Sequence, residues 1–359
     1  MSSRERAAEL GSVRAALRSP AVGCDVGGTA VKLVRLAGGR VADAELFSTP
    51  RGSAGEVLAA LAGRLRAVVE RAARNRGGRG RVATGIALPG FLDPARRKVI
   101  RLSNLPALDG VAFAPRIESL VPGARVCLDA DTNAGGVAEA LLGAGRGRER
   151  VLYLTLGTGL GAALVVEGVP VRVSRNTVGQ VAHVRLTPPA PGRSAAPTCR
   201  CGGHGCAESL LSANGILERA RAAGIARARN VEELAALGRK SGRSVPGRRA
   251  RRLWDETGDF LGGLCQTLAS LFAPDIVVIG GGIAGAADLW IGRVRDAVAA
   301  SGPALLGQKI AVEPARLGRF AGALGAALLA ARDASQRRSA RSSGPSRNGK
   351  AVPAVDARW

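Results

Sequence analysis

The chain has 359 residues, 46% hydrophobic, 22% charged and 3% aromatic, an ordinary globular balance that excludes disorder of the whole chain and leaves room for two domains. Its net charge of +24 would suit a nucleic-acid or anionic-membrane surface, but no helix-turn-helix, zinc finger or aromatic-interleaved basic segment goes with it, and nucleic acid is not expected as a partner. No apolar run has the length of a membrane span or the character of a signal peptide, so the protein is expected in the cytoplasm, without a membrane partner.

Residues 1–20 read as a short polar extension. A strand over Val22–Val26 breaks at Gly27-Gly28-Thr29 and resumes over Val31–Leu36, the signature of a hairpin. Residues 54–74 carry an apolar helical period with arginines on the other face, ended by Gly77 to Gly80. A strand Val82–Ala87 closes at Leu88-Pro89-Gly90; residues 125–129 form another strand, and Ala134–Leu142 a helix. The run VLYLTLGTGLGAALVVEG is two apolar strands about a glycine-rich turn, and IVVIGGGIA is a buried strand entering a glycine cluster. An amphipathic helix follows over Ala287–Ala300, and a last helix over Gly322–Ala331. Residues 333–359 are polar, basic and rich in Pro, Gly and Ser, and are expected to be disordered. Strands alternating with helices predict an α/β architecture.

Three glycine-rich turns follow apolar strands, at Asp25 to Thr29, at Leu156 to Gly161 and at Gly280 to Gly282. Glycine lets backbone N–H groups approach and point at phosphate oxygens. An aspartate in the first turn would repel phosphate directly but can hold Mg²⁺ through water, since Mg²⁺ takes oxygen ligands. The pattern GxxxxGK[ST] is absent, which excludes a P-loop protein. Of the six cysteines, Cys24, Cys127 and Cys265 stand alone in apolar surroundings, whereas Cys199, Cys201 and Cys206 cluster with metal-ligand spacing.

CDVGGTAVKL resembles the first phosphate motif of the ROK family of sugar kinases, LTLGTGLGAAL its second, and APDIVVIGGGI its adenosine-side motif. The likeness runs from about residue 21 to about residue 331. It implies a two-lobed actin-like ATPase fold of ribonuclease H-like type. Residues 21–130 would form the small α/β lobe, completed by a C-terminal helix 320–332. Residues 131–319 would form the large lobe with a zinc loop over 183–206. ATP would lie between the lobes. Asp25, Gly27, Gly28, Thr29 and Lys32 would sit near the transferring phosphate and Mg²⁺. Gly157, Thr158 and Gly159 would hold phosphates, and Gly280, Gly281 and Gly282 would border the adenosine.

VCLDADTNAGGVAEALLGAG resembles the family segment that carries the catalytic base, by position Asp131. A carboxylate there can take the proton of a sugar hydroxyl as the phosphoryl bond forms. Read from periodicity alone, Asp131 is rather an N-cap of the next helix, with Asp129 a rival for either task. Cys199-Arg-Cys201-Gly-Gly-His-Gly-Cys206-Ala-Glu208 is similar to the family pattern CxCGxxGCxE, and His183 falls where the family's GExGH histidine stands. With His183 the set is a closed Cys₃His site suited to structural zinc; His204 is the rival fourth ligand. Sugar contacts are implied for Asn104, Asp131, Gln180, His183 and Glu208, with Ser103 and Asp109 in the same sugar-side stretch.

Two positions depart from the family: Ala130 where it has Asn, and Gln180 where it has Glu. The resemblance implies ATP-dependent phosphorylation of a hexose or N-acetylhexosamine at its primary hydroxyl by a homodimer. A catalytically impaired sugar-binding sensor or regulator and a polyphosphate-dependent glucokinase are the alternatives. The regulator is disfavoured by the short segment before the first phosphate motif.

Overall fold

The structure, a computed structural model, describes residues 19–74, 80–173, 177–186, 197–225, 228–240 and 244–342. Most of the expected N-terminal extension, Gly77 and the tail beyond residue 342 lie outside the described residues. Two five-stranded sheets repeat one plan. In the first, β1 (Ala21–Val26), β2 (Ala30–Ala37) and β3 (Arg40–Ser48) form an antiparallel meander. After helix α1 (Ala54–Arg74), β4 (Val82–Leu88) joins β1 in parallel. A small hairpin, β5 (Gly90–Leu92) and β6 (Val99–Leu102), and helix α2 (Phe113–Leu120) lead to β7 (Ala124–Ala130), parallel to β4. The resulting order is β3-β2-β1-β4-β7.

Helix α3 (Asp131–Leu142) crosses to the second sheet. There β8 (Arg150–Leu156), β9 (Leu160–Val166) and β10 (Val169–Pro170) form the antiparallel part. Helices α4 (Ala207–Leu211), α5 (Ala213–Ala222), α6 (Val231–Arg239) and α7 (Val245–Phe272) come before β11 (Ile276–Gly280). Helices α8 (Ala287–Ala299) and α9 (Gly302–Leu305) separate β11 from β12 (Ala311–Pro314). The order β10-β9-β8-β11-β12, with β11 parallel to both neighbours, copies the first sheet. This duplicated plan is the two-lobed actin-like fold expected from the sequence.

The last helix, α10 (Ala321–Ser342), belongs to the first lobe and continues beyond the predicted end at Ala331. The expectation of a disordered tail from residue 333 is therefore corrected through Ser342. Polar residues just past the predicted end have partners: Arg332 donates to the Gly168 carbonyl at 3.2 Å, and the Asp333 carboxylate accepts from Arg96 at 3.0 Å.

Side-chain-free contacts set the joint between the lobes. A Cβ on Gly23 of β1 would stand 1.9 Å from the Ala323 carbonyl oxygen, and one on Gly85 of β4 1.8 Å from that of Ala326. On α10 itself, a Cβ on Gly325 would meet the Ala134 carbonyl of α3 at 1.6 Å. Helix α10 thus lies on the first sheet with its backbone against α3, which lies on the second through Gly136 against Ala163 and Val165. Because the obstacle is backbone, it cannot rotate away. Gly325→Ala is expected to destabilise the protein by at least about 1–3 kcal/mol, the cost of overpacking a close-packed core, visible as a lowered Tm.

Candidate active site

A cleft of about 990 Å³ opens between the lobes, lined by the first two glycine turns, the start of α3 and the cysteine loop. On the small-lobe side, the register that pairs Asp25 with Lys32 sets their side chains 3.1 Å apart. Burial pushes the Asp25 carboxyl above its usual range, and the Lys32 ammonium pulls the other way. The Gly27 N–H donates to the Ala30 carbonyl at 3.1 Å, and the Thr49 hydroxyl donates to the Gly27 carbonyl at 2.7 Å. A Cβ on Gly28 would lie 2.9 Å from the Asn104 amide nitrogen, so this glycine lets the turn and Asn104 share one wall. Arg51, unremarked in the sequence, donates to the carbonyls of both Gly28 and Asn104 and ties them together. Thr29 and Asp109 do not line the cleft; the Asp109 carboxylate instead accepts from the Leu102 N–H at 2.7 Å.

On the large-lobe side, the β8–β9 turn is closed by the Gly157 N–H on the Gly159 carbonyl at 2.9 Å. The Glu208 carboxylate accepts from the Leu160 N–H at 3.2 Å, fixing the turn relative to α4. Of the third glycine cluster, Gly281 lines the cleft while Gly280 and Gly282 do not. Gly281 has φ of +86°, and a Cβ there would stand 2.2 Å from the Leu156 carbonyl oxygen, so the position needs glycine twice over.

Asp129 and Asp131, indistinguishable by composition, part ways at the end of β7. Asp131 opens α3 as its first residue, not as its cap, and lines the cleft, with one oxygen accepting from the Thr132 N–H at 2.8 Å. Burial and the nearby negative charge of Asp25 push its carboxyl up to about 7. Asp129 is 2% exposed and does not line the cleft. Arg96 reaches it at 3.0 Å, Arg172 pairs with it, and the Asn133 amide donates to it at 2.8 Å. Asp129 is thus tied up away from the cleft by two guanidiniums and an amide, whereas the Asp131 carboxyl faces it.

The ligand atoms of His183, Cys199, Cys201 and Cys206 all lie within 4.8 Å of one another. The Cys201 and Cys206 sulfurs are 3.7 Å apart; two sulfurs on a tetrahedral zinc, each about 2.3 Å away, would stand about 3.8 Å apart. His183 turns Nδ1 to Cys199 at 3.7 Å, while the rival His204 faces the Thr198 hydroxyl at 3.3 Å and stays out of the cluster. Backbone pairing shapes the knuckle: the Cys199 N–H donates to the Gly203 carbonyl at 2.7 Å, and Leu186 N–H to that of Gly205 at 2.9 Å. Part of the predicted zinc loop, residues 187–196, lies outside the described residues. Gln180, His183 and Glu208 all border the same cleft as Asp131.

Arg101, Arg221 and Arg319 also line the cleft. Sequence reasoning missed them, because among 52 lysines and arginines nothing marks these three. Ala130 lines the wall beside Asp131 and brings no hydrogen-bonding side chain to it.

Comparison with known proteins agrees with the fold. The chain is 32% identical over 267 residues to the N-acetylgalactosamine kinase AgaK of Shewanella sp. (strain ANA-3), covering 73% of this chain and 81% of that one. Among solved structures it is similar to a ROK hexokinase from Thermus thermophilus, with TM-score 0.72 and 32% identity over 88% of this chain and 99% of the other. It is also similar to a ROK family glucokinase from Streptomyces griseus in complex with glucose and AMPPNP, with TM-score 0.66 and 26% identity over 87% and 99% of the two chains. Residues 21–333 match the ROK family as a whole, and the chain belongs to that family.

Proposed function

We propose that this sugar kinase transfers the terminal phosphate of ATP to the primary hydroxyl of a hexose or N-acetylhexosamine, with Asp131 as general base. The observation that carries the reading is the single cleft in which the Asp131 carboxylate meets two glycine turns from opposite lobes. The turns at Gly27-Gly28 and Gly157–Gly159 would hold phosphate oxygens through the backbone N–H groups of Gly28, Thr158 and Gly159, with Lys32 adding positive charge. Asp25 would hold Mg²⁺ through water, and the bound ion would neutralise charge on the transferring group. Asp131 would accept the hydroxyl proton while Asn104, Gln180, His183 and Glu208 orient the sugar. The Cys₃His set fits Zn²⁺ with no open coordination position, so its part is to shape the loop and not to activate water.

Glutamine at position 180 both donates and accepts hydrogen bonds, where an ionised glutamate only accepts. With Ala130 beside the base, the sugar contacts differ from those of the family's usual pattern. The sugar is therefore to be found by assay: ADP release measured over glucose, N-acetylglucosamine, N-acetylgalactosamine, N-acetylmannosamine and mannose, with ATP and polyphosphate as donors. ATP-dependent turnover of at least one of these sugars is expected; none with either donor would defeat the reading.

A base must be deprotonated to act, so a pKa pushed up to about 7 places the acid limb of kcat/KM near neutrality. Activity is expected to fall about tenfold for each pH unit below that point. A pH profile flat down to pH 5 would contradict Asp131 in this role.

A further inference from the structure

Behind the cleft wall lies a half-buried charge cluster, centred on the buried Asp129, that the proposed chemistry does not use. Asp129 accepts from Arg96 at 3.0 Å and pairs with Arg172; Arg96 reaches the Asp333 carboxylate at 3.0 and 3.2 Å. The Asp129 side chain is 2% exposed, and neither it, Arg96, Arg172 nor Asp333 lines the cleft. Two guanidiniums and two carboxylates make the group neutral, the condition under which charges can be buried together. The four residues come from separate parts of the fold: the β5–β6 hairpin, the end of β7, the segment after β10, and α10. Arg96 sits at φ of +53°, a left-handed conformation that a side chain rarely adopts. The hairpin tip is held in that shape by Asp93, whose carboxylate accepts from the N–H groups of Arg97 and Lys98 at 2.7 and 2.6 Å.

Both sides of the Asp129–Arg172 pair lead straight to the cleft. On one side, Asp129 is followed by Ala130 and Asp131, both on its wall. On the other, Arg172 comes just before Val173, whose N–H donates to the Thr177 carbonyl at 2.8 Å. Thr177, Gly179 and Gln180 line the same cleft. The pair is thus a side-chain link between the strand end that carries Asp131 and the large-lobe segment that leads to Gln180.

We propose that Arg172 is a positioning residue that sets the sugar-side loop in register with Asp131 through Asp129. This inference rests on the kinase reading for its kinetic consequence but not for its structural one. Arg172 touches neither phosphate turn, so its loss should act on the sugar and spare the nucleotide.

The test uses the full-length protein with Arg172→Met, which keeps the stem and removes the charge, and Arg172→Lys, which keeps the charge and loses the fork geometry. Wild-type turnover with its best sugar is measured first; if there is none, the kinase reading fails while amide exchange of residues 177–186 still decides the anchor. Arg172→Met is expected to raise exchange in that segment and to raise the sugar KM by about tenfold or more, the worth of a charged hydrogen bond, with the ATP KM within about twofold of wild type. Arg172→Lys should recover most of both losses, leaving a sugar KM about two- to fivefold above wild type. Unchanged exchange and unchanged sugar KM in folded Arg172→Met would overturn the proposal, as would parallel rises in the sugar and ATP KM. Should Arg172→Met fail to fold, Arg172→Lys decides alone: a selective rise in sugar KM supports the link, and its absence removes it.

Discussion

Asp131→Asn is expected to lower kcat by at least about 10²-fold, the low end of general-base catalysis, with the fold intact. The substitution is close to isosteric and keeps the oxygen that accepts from the Thr132 N–H at 2.8 Å, so the start of α3 should hold its shape. A second readout separates lost chemistry from lost structure. Burial and the charge of Asp25 raise the Asp131 carboxyl to about 7 in the folded protein. An unfolded aspartate titrates near 3.9. The folded state therefore binds this proton more tightly, and the protonated form favours folding. That favourable contribution is present below about pH 4 and is lost as pH rises from there to about 7, because the unfolded chain releases its proton first. At pH 8 the ionised, buried carboxylate is a net cost in the apo protein. Asp131→Asn removes that cost, so its Tm at pH 8 should be at or above the wild-type value while kcat collapses. A variant with near-normal kcat would remove Asp131 from the chemistry, and the base would have to be sought elsewhere in the cleft.

Loss of the metal is the second large effect. The four ligand atoms within 4.8 Å predict about one zinc per chain by metal analysis of a preparation made without chelator. Structural zinc in small peptides is worth about 10–16 kcal/mol, so a loop built around it should not survive its removal. Cys206 is the most telling ligand because it is buried and directly precedes α4, which carries Glu208. Cys206→Ser is expected to abolish zinc binding, to loosen residues 197–206 in amide exchange, and to raise the sugar KM through displaced Glu208 and His183. His204→Ala should retain the metal, since that ring faces Thr198 and not the sulfurs. Zinc retained in full by Cys206→Ser, or lost only with His204→Ala, would reverse the ligand assignment.

Much of the site was legible because its chemistry is written in short local motifs. The glycine turns, the cysteine knuckle and the aspartate pair each occupy a few consecutive residues, where spacing alone constrains geometry. The fold was less evenly legible. Strand β3 (Arg40–Ser48) escaped notice because it is an edge strand whose outer residues, Val41 and Leu46 among them, are about half exposed and break a clean alternation. Helix α7 was hidden by its own composition. Its first turns are crowded with arginine, and Gly258 and Gly262 interrupt its centre, where Arg293 and Ala297 of α8 pack closely against it. The length of α10 was misjudged for the opposite reason: polar residues read as disorder when their partners lie far away in sequence.

The same distance explains why periodicity and spacing alone, without the family likeness, left Asp129 a rival to Asp131. The partners that hold Asp129 away from the cleft are Arg96 and Arg172, 33 and 43 residues away. Only the folded chain brings them together. The cleft arginines share this property, being ordinary in sequence and specific only in place.

The most direct measurement is ³¹P NMR of the product formed from MgATP and the best sugar of the panel, run beside the 6-deoxy form of that sugar. The account predicts ADP and a sugar phosphate in equal amounts, with phosphate on the primary oxygen and no product from the 6-deoxy form. Phosphate found at another oxygen, or ADP released equally with the 6-deoxy sugar, would contradict the placement of a primary hydroxyl against Asp131.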